Sequence, residues 1–115
     1  VSESPFALRG VIEAFYGTFY AVPERNDMIQ FLGRRGFNFY AYGPKNDRQH
    51  RMRWWDPYPD DVLREFGRTI EVARRSGVRF CYTISFGVPP SYATSEDFTV
   101  VTEKFRRFYD LGCRD

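Results

Sequence analysis

Gly36-Phe37-Asn38-Phe39-Tyr40-Ala41-Tyr42 sets a glycine able to end a helix directly before a run that is almost wholly apolar and aromatic. Such a short unbroken run suits a strand, and the lack of alternation predicts cover on both faces, as in a parallel sheet. Leu8-Arg9-Gly10-Val11-Ile12-Glu13-Ala14-Phe15 and Val78-Arg79-Phe80-Cys81-Tyr82-Thr83-Ile84 are two more runs of this kind. Gly77 precedes Val78, and Gly112 precedes Cys113, as Gly36 precedes Phe37. The strand starts at Phe37, Val78 and Cys113 stand 41 and 35 residues apart, the rhythm of βα units joined by right-handed crossovers. Cys113-Arg114-Asp115 reads as the opening of a fourth strand that the chain does not complete.

Helical patterns fill the intervals. Pro23 opens the first at its first position, with Met28, Ile29, Phe31 and Leu32 as its apolar stripe. The second begins at Pro59-Asp60-Asp61, carries Val62, Leu63, Phe66, Ile70, Val72 and Ala73, and ends in Arg74-Arg75; acids at its start and bases at its end suit the helix dipole. The third runs from Ser95-Glu96-Asp97 through Phe98, Val101, Phe105 and Phe108 to Gly112. Helix-to-strand connections are nearly absent, whereas the strand-to-helix segments 16–22, 43–58 and 85–94 are long. Ligand sites of α/β proteins gather at the carboxyl ends of the strands, where these segments lie.

At 115 residues and 13.6 kDa the chain suits one domain and falls far short of the roughly 250 residues of a closed eight-unit barrel. An aromatic share of 19% argues for a packed core. The net charge of +2, with both signs dispersed, points to neither nucleic acid nor an anionic membrane. Arg48-Gln49-His50-Arg51-Met52-Arg53-Trp54-Trp55 interleaves bases with aromatics, as single-strand binders do, but is short and confined to one connection. Cys81 and Cys113 lack C-x-x-C spacing and read as buried free thiols, with no metal cluster around His50, the sole histidine. No signal-peptide pattern or span-length apolar run is present. The expectation is a soluble protein, cytoplasmic or secreted, and the first residue, Val1, suggests a chain cut from a longer one. Fifteen of the basic residues are Arg and only two, Lys45 and Lys104, are Lys; a loop lysine in such a chain suggests a task that arginine does not serve.

Several ordered blocks carry a resemblance. They are Arg9-Gly10-Val11-Ile12-Glu13-Ala14-Phe15-Tyr16-Gly17, Asn38-Phe39-Tyr40-Ala41-Tyr42-Gly43-Pro44-Lys45-Asn46-Asp47, His50-Arg51 with Trp54, Tyr82-Thr83-Ile84-Ser85-Phe86-Gly87, and Leu111-Gly112-Cys113-Arg114. Together they resemble the start of glycoside hydrolase family 84, the O-GlcNAcases and bacterial β-N-acetylglucosaminidases. The resemblance implies an α/β fold comprising the first three βα units of a (β/α)8 TIM barrel, a parallel sheet truncated at the start of strand 4. Residues 1–115 would then be the N-terminal part of a glycosidase catalytic domain. It further implies retaining, substrate-assisted hydrolysis, in which the sugar's acetamido oxygen attacks its own anomeric carbon, a departure from the two-carboxylate scheme.

The family's two adjacent aspartates, one polarising the acetamido group and one serving as acid/base, follow its fourth strand. No catalytic residue is therefore expected in this chain, and Asp60-Asp61 reads as helix-start acids. By resemblance Lys45 is the substrate-binding lysine, whose compact three-donor head suits sugar hydroxyls. Ala14 stands where the family has a glycine whose carbonyl binds the sugar. Tyr16, Tyr42 and Asp47 are further substrate-binding candidates, each with a core-closing role as its alternative, and Glu13 reads as a buried structural acid. Gly43, Asn46 and Phe86 depart from the family pattern. No cofactor is implied, and the partner is an N-acetylglucosamine-containing glycan or glycoprotein. The rival readings are a noncatalytic sugar-binding or interaction protein on a degenerate barrel, and a self-sufficient small α/β module.

Overall fold

The computed structural model describes residues 3–89 and 94–115. Strands β1 (Gly10–Glu13), β2 (Phe39–Tyr42) and β3 (Arg79–Tyr82) alternate with helices α1 (Val22–Arg34), α2 (Asp60–Arg75) and α3 (Ser95–Asp110). The strands form one parallel sheet in the order β1-β2-β3, with Gly10 opposite Phe39 and Phe39 opposite Arg79. The strands are four residues each, shorter than the apolar runs that announce them. Of the third long connection expected, residues 90–93 lie outside the described residues.

The helix boundaries follow local chemistry. Pro23 takes the second rather than the first position of α1, after Val22 and the N-cap Ala21. Asp60 and Asp61 fill the first turn of α2, and the Thr94 hydroxyl caps α3 by accepting from the Asp97 amide at 3.1 Å. Gly36, Gly77 and Gly112 each follow a helix cap with positive φ, +83°, +70° and +102°. There the left-handed turn is easy for glycine and sends the chain straight back toward the sheet.

All three helices pack on one face of the sheet. Side chains alternate along a strand, so Glu13, Tyr40, Tyr42, Phe80 and Tyr82 point to the helices. They meet Ile29 and Leu32 of α1, Phe66, Ile70 and Ala73 of α2, and Phe108 of α3 in a single core. Aromatic rings dominate it: Tyr82 stacks on Phe108 at 3.8 Å, and Phe66 meets Phe108 edge to face at 4.9 Å.

The opposite face departs from the sequence expectation. Cover on both faces is not found among the described residues: Ile12 is 68% exposed, and Cys81 is half-buried rather than buried. The reason is that one-handed crossovers put every helix on the same side, while β1 sits at an open edge. Residues 113–115, read as the opening of a fourth strand, lie along β3. Tyr82 donates its amide to the Asp115 carbonyl at 3.2 Å, the Cys113 thiol reaches the Phe80 carbonyl, and Arg79 pairs with the Asp115 carboxylate, but no strand forms over 113–115. None of the described helices is long and apolar enough to cross a membrane.

Candidate functional site

The carboxyl ends of the three strands open into connections that bind one another. Gly43 donates its amide to the Glu13 carbonyl at 2.8 Å, and the Lys45 amide reaches the Phe15 carbonyl at 3.2 Å, so the parallel ladder continues past the ends of β1 and β2. Alternate carbonyls along an extended chain face opposite edges, which turns the Ala14 carbonyl away from β2. Among the described residues no hydrogen bond reaches it. From the third connection, the Ser85 amide donates to the His50 carbonyl at 2.9 Å, and Trp54 Nε1–H donates to the Val88 carbonyl at 2.6 Å.

These contacts place the five substrate-binding candidates in two layers. Lys45 is half-buried, and among the described residues its ammonium has no hydrogen bond or ion pair. Ala14 is half-buried beside it in the β1 connection, and Tyr16 is 71% exposed with the Arg51 guanidinium 5.8 Å from its ring centre. Tyr42 and Asp47 lie beneath, at 2% and 5% exposure. The Tyr42 hydroxyl donates to Asp47, which also accepts from the Tyr58 hydroxyl at 2.8 Å and the His50 amide at 3.2 Å. The Tyr42 ring is itself packed between Arg25 and the core aromatics. In this arrangement Tyr42 and Asp47 form the floor on which the Lys45 turn rests. The strong burial of Tyr42 and Tyr58 next to the Asp47 carboxylate raises both phenol pKa values far above the usual range, so both hydroxyls stay protonated donors.

Two of the departures from the family pattern have a packing reason. A side chain at Gly43 would stand 2.8 Å from the Thr83 hydroxyl and 3.4 Å from the His50 ring; glycine leaves room for Thr83 to donate to the Tyr42 carbonyl at 2.6 Å. Phe86 meets Trp54 edge to face at 5.1 Å, tying the β3 connection to the β2 connection. Asn46 is exposed, and nothing in the structure accounts for it.

Three groups of the site are not singled out by the sequence. Glu13 is buried as expected, but its partner Arg25 lies on α1: the guanidinium grips both carboxylate oxygens at 2.7 and 3.0 Å, and the Tyr40 hydroxyl donates a third bond at 2.5 Å. An Arg two residues after Pro23 is a weak signal in a chain with fifteen of them. His50 Nδ1 lies 2.6 Å from the Thr83 carbonyl; a carbonyl only accepts, so this nitrogen carries the hydrogen. Lys104, set among the apolar positions of α3, buries its ammonium against the Gln49 and Trp54 carbonyls, both at 2.6 Å.

Burial lowers the His50 pKa, with Lys45 and Lys104 reinforcing it and the Thr83 carbonyl and Asp47 opposing it. The folded state thus resists a proton that the unfolded chain takes up below its ordinary value of about 6.5. Stability contributed here is present above that pH and is lost as pH falls below it. Urea midpoints measured at pH 7.5 and 5.5 should drop further in the wild type than in His50→Gln. An equal drop in both would show that His50 does not titrate in this way.

Residues 9–115 match the family described as beta-N-acetylglucosaminidase. The chain belongs to this family. Within glycoside hydrolase family 84 it corresponds to the N-terminal part. It is 30% identical over 107 residues to the Protein O-GlcNAcase of Rattus norvegicus and to that of Mus musculus, matches that cover 93% of this chain and 12% of each relative. Among solved structures it is similar to a mutant of the Thermobaculum terrenum O-GlcNAc hydrolase, with a TM-score of 0.89 and 36% identity, over 93% of this chain and 23% of that one. The chain thus spans a small fraction of the length of the relatives it matches.

Proposed function

We propose that this chain is the sugar-binding side of a retaining β-N-acetylglucosaminidase, built from the first three βα units of a (β/α)8 barrel. The observation that carries the reading is the position of Lys45: an ammonium without a described partner, at the carboxyl end of β2, bonded through its own amide to the end of β1. A parallel sheet with its helices on one face only supports the barrel, because the doubly wound alternative covers both faces. The exposed Phe98, Phe105 and Tyr109 on α3, and the edge of β3 that only residues 113–115 touch among the described residues, suit the packing of a further βα unit.

In this reading Lys45 donates to sugar hydroxyls, the Ala14 carbonyl accepts from the sugar, and the exposed Tyr16 ring offers a stacking face. Tyr42 and Asp47 set their height from below. The sugar's acetamido oxygen displaces the leaving group at the anomeric carbon, and water then opens the ring so formed. An aspartate pair after the fourth strand, outside residues 1–115, does the rest: one aspartate polarises the acetamido group and its neighbour serves as general acid/base. The substrate class is an N-acetylglucosamine-bearing glycan or glycoprotein.

The test is hydrolysis of 4-nitrophenyl N-acetyl-β-D-glucosaminide by the full-length protein, with the β-anomer as first product. Residues 1–115 alone should release no nitrophenol, and release by that piece would overturn the placement of the aspartate pair. Sugar binding without turnover by the full-length protein would favour the noncatalytic alternative.

A further inference from the structure

Lys104 stands 59 residues after Lys45, on a different element, yet the two are joined through one peptide group. The peptide between Gln49 and His50 is held at both ends: its carbonyl accepts from the Lys104 ammonium at 2.6 Å, and its N–H donates to Asp47 at 3.2 Å. Asp47 in turn holds the Tyr42 and Tyr58 hydroxyls, two residues from Lys45. The ammonium also takes the Trp54 carbonyl at 2.6 Å and lies 5.2 Å from the centre of the Tyr58 ring. It is 5% exposed.

The intervening segment has little regular structure of its own. Residues 48–55 form turns, closed by the Arg51 and Arg53 amides on the Arg48 carbonyl. Without a donor from α3, two carbonyls at the inner side of these turns would lose their partners where water has little access, a costly state for a polar group. A compact ammonium can serve two carbonyls converging on one point, and it remains protonated at neutral pH, its pKa lowered by burial to about 8 against the pull of Asp47 and Asp56.

We propose that Lys104 is a positioning residue for the sugar site, its buried ammonium fixing the Gln49–His50 peptide and through it the turn that presents Lys45. The assignment rests on the sugar-site reading for its functional part and on the hydrogen bonds alone for its structural part.

The experiment uses the full-length protein and Lys104→Met, which keeps the stem and removes the donors. Amide exchange at Lys45, His50 and residues 51–56 should quicken at least tenfold, while the amides of β2 and β3 keep their protection. KM for 4-nitrophenyl N-acetyl-β-D-glucosaminide should rise about tenfold with kcat within threefold. Unchanged exchange at Lys45 and His50, or faster exchange with an unchanged KM, would overturn the proposal. If Lys104→Met also loses the β-strand protection, Lys104→Arg decides: the 400 Å³ cavity beside Lys104, lined by Trp55, Tyr58 and Phe108, leaves space for the larger cation. A KM near wild type with protected loop amides supports the proposal, and a tenfold higher KM with protected amides overturns it. Absence of turnover in the wild type would fail the proposed function alone, since exchange at Lys45 and His50 still decides for or against Lys104.

Discussion

Glu13→Ala is expected to lower the unfolding free energy by about 3–5 kcal/mol, the typical result of removing one partner of a buried ion pair. The Arg25 and Glu13 side chains are 5% and 0% exposed, so the guanidinium left behind would have neither its carboxylate nor free access to water. Three elements meet at this carboxylate: β1 provides it, α1 brings Arg25, and β2 brings the Tyr40 hydroxyl. The Tyr20 amide also reaches it at 3.3 Å, and Arg25 donates to the Tyr20 carbonyl, so the connection carrying Ala14 and Tyr16 is pinned at both ends. A loss this size is a large part of an ordinary domain's stability. Glu13→Leu combined with Arg25→Met should cost less than either polar-to-apolar change alone, because no unpaired charge remains. Denaturant titration of the single and double variants measures this, and additive costs would show that the two residues are not coupled.

Lys45→Ala carries the second large effect, at the site rather than in the fold. A hydrogen bond from a charged donor contributes about 1.5–3 kcal/mol, so kcat/KM of the full-length protein should fall by about 10–100-fold. The side chain is half-buried and has no hydrogen bond or ion pair among the described residues, so the urea midpoint should stay near wild type. Lys45→Arg should restore little, because the planar fork presents its donors with a different geometry from a compact ammonium. Steady-state kinetics on the chromogenic glycoside reads both variants. Full activity in Lys45→Ala would remove this residue from the site.

The architecture is legible because its signals are local. Gly36, Gly77 and Gly112 each mark a helix end by backbone conformation, and the apolar runs after Gly36 and Gly77 mark strands, so the βα alternation follows from neighbouring residues. One-sided cover is not local: the runs around Ile12 and Cys81 read as buried on both faces, and only the common side taken by all three helices exposes the other. At the site, Lys45 is visible through its motif and through the scarcity of lysine. The roles of Tyr42 and Asp47 depend on depth, which a strand-end position does not encode. Lys104 was hidden for a similar reason. On α3 it falls among the apolar positions, but its partners are carbonyls of Gln49 and Trp54, which have no sequence signature because every residue has one.

The most direct test of the central claim is a crystal structure of the full-length protein with N-acetylglucosamine bound. The sugar is predicted to lie at the carboxyl ends of β1 and β2, with a ring hydroxyl at about 3 Å from Lys45 Nζ and the Ala14 carbonyl among its acceptors. A sugar bound elsewhere, with the Lys45 ammonium left in solvent, would contradict the account.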